Sequence, residues 1–211
     1  FNISQKMLRA IEDLGFEEPT PIQVSTIPAI LEGRDVTGQA QTGTGKTAAF
    51  GIPAIERIDP ESRETQVLVL SPTRELAIQI AEEFARLAKH HRGINILPIY
   101  GGQPIERQFK GLQRGAQIVV GTPGRVLDHL DRGTLSFAAV NLVVLDEADQ
   151  MLDMGFREDI EKILDETPEG RQTVLFSATL PKPILEISKR FQKDPEFISV
   201  ARREVTVPQI E

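Results

Sequence analysis

Two short runs of this 211-residue chain carry residue types able to do phosphate chemistry. The first is Ala40, Gln41, Thr42, Gly43, Thr44, Gly45, Lys46 and Thr47. Glycines at 43 and 45 allow backbone N–H groups to face inward. A helix starting there presents its positive end, so the run can form a nest for a β-phosphate. Lys46 adds a movable positive charge, and Thr47 offers a hydroxyl to a magnesium ion bridging the β- and γ-phosphates. Ala40 stands where this pattern usually opens with glycine. A flexible turn would explain the glycines alone, but not their coincidence with a strand before them and Lys-Thr and a helical stretch after them.

The second run is Asp146, Glu147, Ala148 and Asp149, delivered by the apolar stretch Leu142 to Leu145. Asp146 is placed to hold magnesium, and Glu147 to orient and deprotonate a water attacking a γ-phosphate. An isolated acidic pair is usually a solvated turn. An apolar strand leading into it, downstream of a phosphate-binding loop, favours the catalytic role. A further buried run, Thr173 to Phe176, ends in Ser177, Ala178 and Thr179, whose hydroxyls can bond Asp149 and sense its position.

Elements that could hold these runs together follow from periodicity. Short β-branched segments recur at Asp35 to Gln39, Gln66 to Ser71, Ile94 to Tyr100, Gln117 to Val120, Leu142 to Asp146 and Thr173 to Ser177. They alternate with helical patterns, which predicts an α/β fold with a mostly parallel sheet and helices on both faces. In the helix expected over Glu75 to Lys89, Leu76, Ile80, Phe84 and Leu87 form one stripe, with Glu82, Glu83 and Arg86 elsewhere. Phe156, Ile160, Ile163 and Leu164 form another such stripe. Ile58 to Thr65 and Thr167 to Gln172 are short connections, so residues 1–211 are read as one domain. Ligands of open parallel sheets sit beyond the carboxyl ends of the strands, where both runs fall.

Composition limits the alternatives. Cysteine is absent, which excludes thiolate metal sites and disulfides and agrees with a reducing compartment. His90, His91 and His129 have no spaced partner and are expected to be solvated surface residues, so no metal is assigned to them. No apolar stretch approaches membrane-spanning length and no secretion signal opens the chain, so a cytoplasmic protein without membrane contact is expected. The net charge of -7 argues against holding nucleic acid by bulk electrostatics, so any such binding must be local. Thr37, set between Val36 and Gly38 in an apolar strand, needs a partner for its hydroxyl and has no functional reading.

Together these segments resemble the DEAD-box family of RNA helicases across nearly the whole chain, the family's tetrad standing here as Asp146 to Asp149. The resemblance implies a RecA-like P-loop nucleotide-hydrolase domain with ATP and Mg2+ as cofactors. Gly15, Phe16, Pro19, Thr20, Pro21, Ile22 and Gln23 look like its adenine-reading motif. The Gln23 amide can donate and accept along one edge of adenine, and Phe16 offers an apolar face. Thr20 and Pro21 equally suit a helix start, and both readings can hold. Phe1 resembles the family's upstream aromatic. Pro72, Thr73, Arg74, Glu75, Leu76 and Ala77 match the first RNA-contacting motif, followed by Gly101 and Gly102, then Thr122, Pro123, Gly124 and Arg125. Glycine backbones and helix starts can approach successive phosphates while Arg74 and Arg125 supply charge, which implies RNA binding through its backbone. Family members also carry a second RecA-like domain. Arg202 to Glu211, with Val205 to Ile210, resembles the lead into it, so this chain is expected to be a monomeric part of a longer helicase. The rival readings are a noncatalytic module in which ATP switches RNA or protein affinity, and a DNA-translocating helicase, which Gln23 and Thr122 to Arg125 disfavour.

Overall fold

Among the described residues, seven four- to six-residue strands supply the frame: β1 Val36–Gln39, β2 Val67–Leu70, β3 Ile96–Ile99, β4 Ile118–Gly121, β5 Leu142–Leu145, β6 Gln172–Ser177 and β7 Glu196–Ser199. The structure is a computed structural model and describes residues 1–200, so the segment Arg202 to Glu211 lies outside the described residues. The strands form one sheet in the order β3-β4-β2-β5-β6-β1-β7, and every pairing is parallel. Parallel neighbours need crossovers, which the helices provide: α1 Gln5–Asp13, α2 Pro21–Leu31, α3 Lys46–Glu56, α4 Arg74–Leu87, α5 Glu106–Arg114, α6 Pro123–Asp131, α7 Ala148–Asp153, α8 Arg157–Glu166 and α9 Lys182–Phe191.

Alternation along each strand divides the core in two. Val67, Val69 and Val144 pack with Ile22, Phe50 and Ile80 beneath α2 to α4. Leu68, Leu70 and Val143 pack with Val126, Ile160 and Ile184 beneath α6, α8 and α9. The central strands are buried on both faces, which explains why they are apolar at every position. Because β5 and β6 lie between β2 and β1, the carboxyl ends of β1, β5 and β6 are neighbours. That order sets the phosphate-type loop after β1 beside the acidic run after β5.

The structure adds to the expected elements and corrects some readings. Strand β7 was not anticipated: its four residues expose Phe197 and bury only Ile198, a signal too short to stand out. The helix expected at Glu75 to Lys89 is α4 Arg74–Leu87, capped by Thr73 Oγ1, which accepts from Leu76 N at 3.2 Å. Thr37 has its partner: its hydroxyl donates to Gln192 Oε1 at 2.6 Å, while Gln192 Nε2 bonds Val36 O and Thr173 O. It ties the end of α9 to β1.

The solvated reading of the histidines fails for His129, which has no exposed surface because Val126 and His129, one turn apart, share the inward stripe of α6. His91 is mostly buried beside Glu56 at 3.3 Å, and His90 lies 2.7 Å from Asp13. Among the described residues no helix is long and apolar enough to cross a membrane.

Candidate nucleotide site and adjoining face

The loop after β1 takes a shape that only glycine adopts readily: Gly43 and Gly45 have φ of +85° and +79°. Thr44 Oγ1 closes the loop on Gln41 O at 2.8 Å. Helix α3 then begins at Lys46 with Gly45 as its N-cap and no side-chain cap, so its first amides remain free to meet an anion.

Lys46 reaches across to the acidic run. Its Nζ stands 2.9 Å from Asp146 Oδ1 and 3.8 Å from Glu147 Oε1. Thr42 Oγ1 also donates to Glu147 Oε1 at 3.4 Å. Asp146 is fully buried, and its Oδ1 takes a second bond from Glu147 N at 3.0 Å. Its Oδ2 is buried and has no partner. Burial pushes the Asp146 carboxyl above the usual carboxylate range, with the Lys46 ammonium opposing the shift. Glu147 holds a left-handed backbone with φ of +50°, strained for a residue with a Cβ, which swings its carboxylate toward the loop.

A cavity of about 180 Å³ opens between Gly43, Lys46, Thr47, Glu147 and Glu83. A buried carboxylate oxygen lacking a donor, with the Thr47 hydroxyl at the start of α3 nearby, is an all-oxygen set of the kind magnesium prefers. Glu83 was read only as lying off the apolar stripe of its helix, with no role at the site. It instead borders this cavity, and burial pushes its carboxyl up, with Asp146 adding to the rise. Helical periodicity could not locate it, because the edge of the apolar stripe points at the site rather than at water.

The segment before α2 joins the loop. Thr20 caps the helix and Gln23 completes a reciprocal box, Thr20 N donating to Gln23 Oε1 at 3.0 Å. Gln23 Nε2 donates to Gly45 O at 3.0 Å, so helix start and site contact coexist in one side chain. The amide keeps a second N–H and a second lone pair to offer. Phe1, Phe16, Pro19 and Gln23 line an apolar cavity of about 140 Å³ next to it. On the other side, Asp149 Oδ2 accepts from Thr179 N at 3.2 Å and Oγ1 at 2.9 Å. Ser177 Oγ meets Asp149 differently, accepting from its backbone N–H at 3.3 Å.

Pro72, Thr73 and Arg74 follow β2, Gly101 and Gly102 follow β3, and Thr122, Gly124 and Arg125 follow β4, so the three segments share one end of the sheet. The exposed Arg74 lays its guanidinium 4.7 Å over the Tyr100 ring. Gly124 is exposed at the start of α6, whose N-cap Thr122 makes no side-chain capping bond. Arg125 departs from the expected outward charge. Its Nη1 turns inward to Gln103 O at 3.0 Å and Gln108 Oε1 at 3.2 Å.

A larger cavity, about 560 Å³, lies at the opposite end of the sheet among Arg34, Arg57, Asn141 and Arg171. Most of its charged nitrogens are taken by the protein: Arg57 bonds Asn141, Ile30 O and Gln172, and Arg34 pairs with Glu32 and Glu196, while Arg57 Nε and Arg171 Nε are buried without a partner. Volume does not mark the chemistry here.

Comparison with known proteins bears on the whole arrangement. Residues 20–187 match the family model described as DEAD/DEAH box helicase. The chain is 56% identical over 209 residues to the DEAD-box ATP-dependent RNA helicase CshA of Geobacillus kaustophilus, covering 99% of this chain and 44% of that protein. It is 54% identical to the Bacillus subtilis protein of the same name, covering all of this chain and 42% of the relative. The chain thus spans less than half the length of these relatives. Among solved structures, a DEAD box protein from the hyperthermophile Methanococcus jannaschii superposes with a TM-score of 0.92 at 46% identity, over 95% of this chain and 55% of that one. A hypothetical ATP-dependent RNA helicase from Sulfolobus tokodaii gives 0.86 at 39% identity, over 94% and 57%.

Proposed function

This chain belongs to the DEAD/DEAH box helicase family, and on that premise we propose that residues 1–211 form the ATP-binding, RNA-contacting first domain of an ATP-dependent RNA helicase. The observation that carries the proposal is the pairing of Lys46 with a buried Asp146 whose Oδ2 has no partner. It sets a movable ammonium and a buried carboxylate with spare acceptor capacity beside the glycine loop. The triphosphate gives Lys46 a stronger partner than Asp146, and the vacated carboxylate and the Thr47 hydroxyl would hold magnesium. When bound, the metal neutralises charge on the β- and γ-phosphates. Gly43, Thr44 and Gly45 direct backbone N–H groups at the phosphates, with Gln41 and Thr42 closing the loop. Gln23 reads the adenine edge with Phe16 beside it.

Glu147 orients a water toward the γ-phosphorus and takes its proton. The water oxygen bonds phosphorus, the bond to the bridging oxygen breaks, and its electron pair leaves with ADP. Asp149, held by Thr179 and Ser177, links the state of this site to the strand next door. Thr73, Arg74, Gly102, Thr122 and Gly124 form the RNA-backbone surface, with the buried Pro72 and the inward-turned Arg125 shaping it from behind, and that surface reads shape and charge rather than bases. A second domain in the same protein completes both sites. The domain is monomeric and works in the cytoplasm.

Isothermal titration of the 211-residue chain with ADP tests the reading. Binding that strengthens with magnesium and is lost in Lys46→Ala is expected. Binding equal in EDTA and in magnesium would sink it. Turnover by this chain alone should lie roughly 10³ to 10⁵-fold below that of the complete protein, because the second domain that the resemblance implies would supply arginine side chains toward the γ-phosphate.

A further inference from the structure

Gln108 on α5 and His129 on α6 are buried polar residues that belong to none of the motifs above. The Gln108 amide uses all of its hydrogen-bonding capacity. Nε2 donates to Tyr100 O and to Gln103 Oε1, both at 3.0 Å. Oε1 accepts from Arg125 Nη1 at 3.2 Å and lies 2.7 Å from His129 Nε2. These partners settle the amide's orientation, because arginine can only donate and a backbone carbonyl can only accept. His129 Nε2 must then carry the hydrogen, and Nδ1 of the neutral ring lies 2.8 Å from Thr134 Oγ1, whose one hydrogen is shared with the His129 carbonyl at 3.0 Å. Burial, then Arg125 and Arg132, push this imidazole below its ordinary value against the opposing pull of Asp128, so the neutral ring is the resident form.

What Gln108 holds is specific. Tyr100 directly follows β3 and carries Arg74 above its ring. Gln103 directly follows Gly101 and Gly102, and its carbonyl takes the other bond from Arg125. Arg125 stands in the first turn of α6, beside Gly124. One side chain therefore joins segments leaving β3 and β4, and through Tyr100 the Arg74 segment leaving β2.

We propose that Gln108 is a positioning residue for RNA: it sets the spacing of these three phosphate-contacting segments, and His129 holds its amide in place. The proposal rests on the reading of this face as an RNA-backbone surface. The physical reason is that successive phosphates have fixed spacing, so donors on three separate loops act together only if something rigid fixes their separation. A fully satisfied buried amide supplies that rigidity.

The test is NMR titration of the isotope-labelled 211-residue chain with a single-stranded uridine decamer, alongside ADP with magnesium. Gln108→Leu should raise the RNA dissociation constant about tenfold, the scale of one or two lost buried hydrogen bonds, and leave ADP affinity unchanged. Should that variant fail to fold, Gln108→Glu keeps the shape and the acceptor toward Arg125 and His129 but cannot donate to Tyr100 O or Gln103. It should also weaken RNA selectively, and it should raise the titration midpoint of His129, read from its ring protons. RNA and ADP affinities falling together would overturn the proposal, since that marks general damage to the fold. Arg74→Ala is the reference. If it binds RNA as the parent does, the RNA reading of this face fails and takes the proposal with it. If Arg74→Ala weakens RNA while the folded Gln108 variants do not, only the positioning role is overturned.

Discussion

Two buried aspartates sit at opposite ends of neighbouring parts of the sheet, and they are used in opposite ways. Asp35 directly precedes β1 and is 8% exposed. Its Oδ1 accepts from Thr173 N at 2.8 Å and its Oδ2 from Lys193 N at 2.7 Å, so backbone donors engage both oxygens. Asp146 directly follows β5 and is fully buried. Both of its contacts fall on Oδ1, and Oδ2 is empty. Asp35 stitches the starts of β6 and β7 to β1. Asp146 keeps acceptor capacity that the fold does not use. Burial is common to both, so burial does not distinguish a structural carboxylate from a reactive one. What separates these two is the unfilled oxygen together with its place beside Lys46 and the glycine loop, because a buried acceptor left unmatched costs stability that a bound ligand can recover.

The contrast can be broken most directly by measuring turnover. In this chain joined to the remainder of its protein, Glu147→Gln and Asp146→Asn should each lower ATP hydrolysis per folded molecule by roughly 10² to 10⁴-fold. Asp35→Ala should leave that rate unchanged. An equal loss in Asp35→Ala would erase the distinction.

Stability should rank the two aspartates the other way. Asp35→Ala strips a charged acceptor from two buried N–H groups and should lower the unfolding free energy by about 3 kcal/mol in urea titration. Asp146→Asn keeps an acceptor for Lys46 and removes a desolvated charge, so its loss should stay under about 1 kcal/mol. A larger loss for Asp146→Asn would mean that its pairing with Lys46 is mainly structural.

The smallest effect sharpens the rule with a third buried group. His129 resembles Asp35 in having its polar atoms engaged. Its folded pKa lies below the ordinary 6.5, so between that value and the folded one the unfolded chain binds a proton that the folded chain refuses. Stability is therefore full above the ordinary value and declines as pH falls through that window. The melting temperature should drop more between about pH 7.5 and about pH 5.5 in the parent than in His129→Gln. Equal drops would place the acid sensitivity elsewhere.

Much of the scaffold was legible because it depends on neighbours in the chain. Leu142 to Leu145 and Val67 to Leu70 are apolar at every position, which is what burial on two faces requires. The loop from Gln41 to Thr47 was readable from two glycines whose positive φ other residues resist. Strand β7 was not legible, since it exists by pairing with β1 and buries one side chain. His129 was misassigned, and the place of Glu83 at the cavity was missed, for a shared reason. Periodicity reports that a helix has an inner face but not what that face meets, which is a cavity for Glu83 and the Gln108 amide for His129. The partner of Thr37 could not be foreseen either, because Gln192 arrives from the far end of the chain.

By itself, then, the sequence determined the parallel α/β frame, the phosphate-type loop and the acidic strand end. Each rests on dihedral preference or on the period of apolar residues within a few positions. Only the tertiary structure decided that β5 and β6 enter between β2 and β1, that Lys46 spans the gap to Asp146, and which aspartate oxygen is left empty. Those outcomes depend on groups brought together across the sheet, where the number of donors reaching a buried oxygen is set by packing and leaves no trace in local residue order.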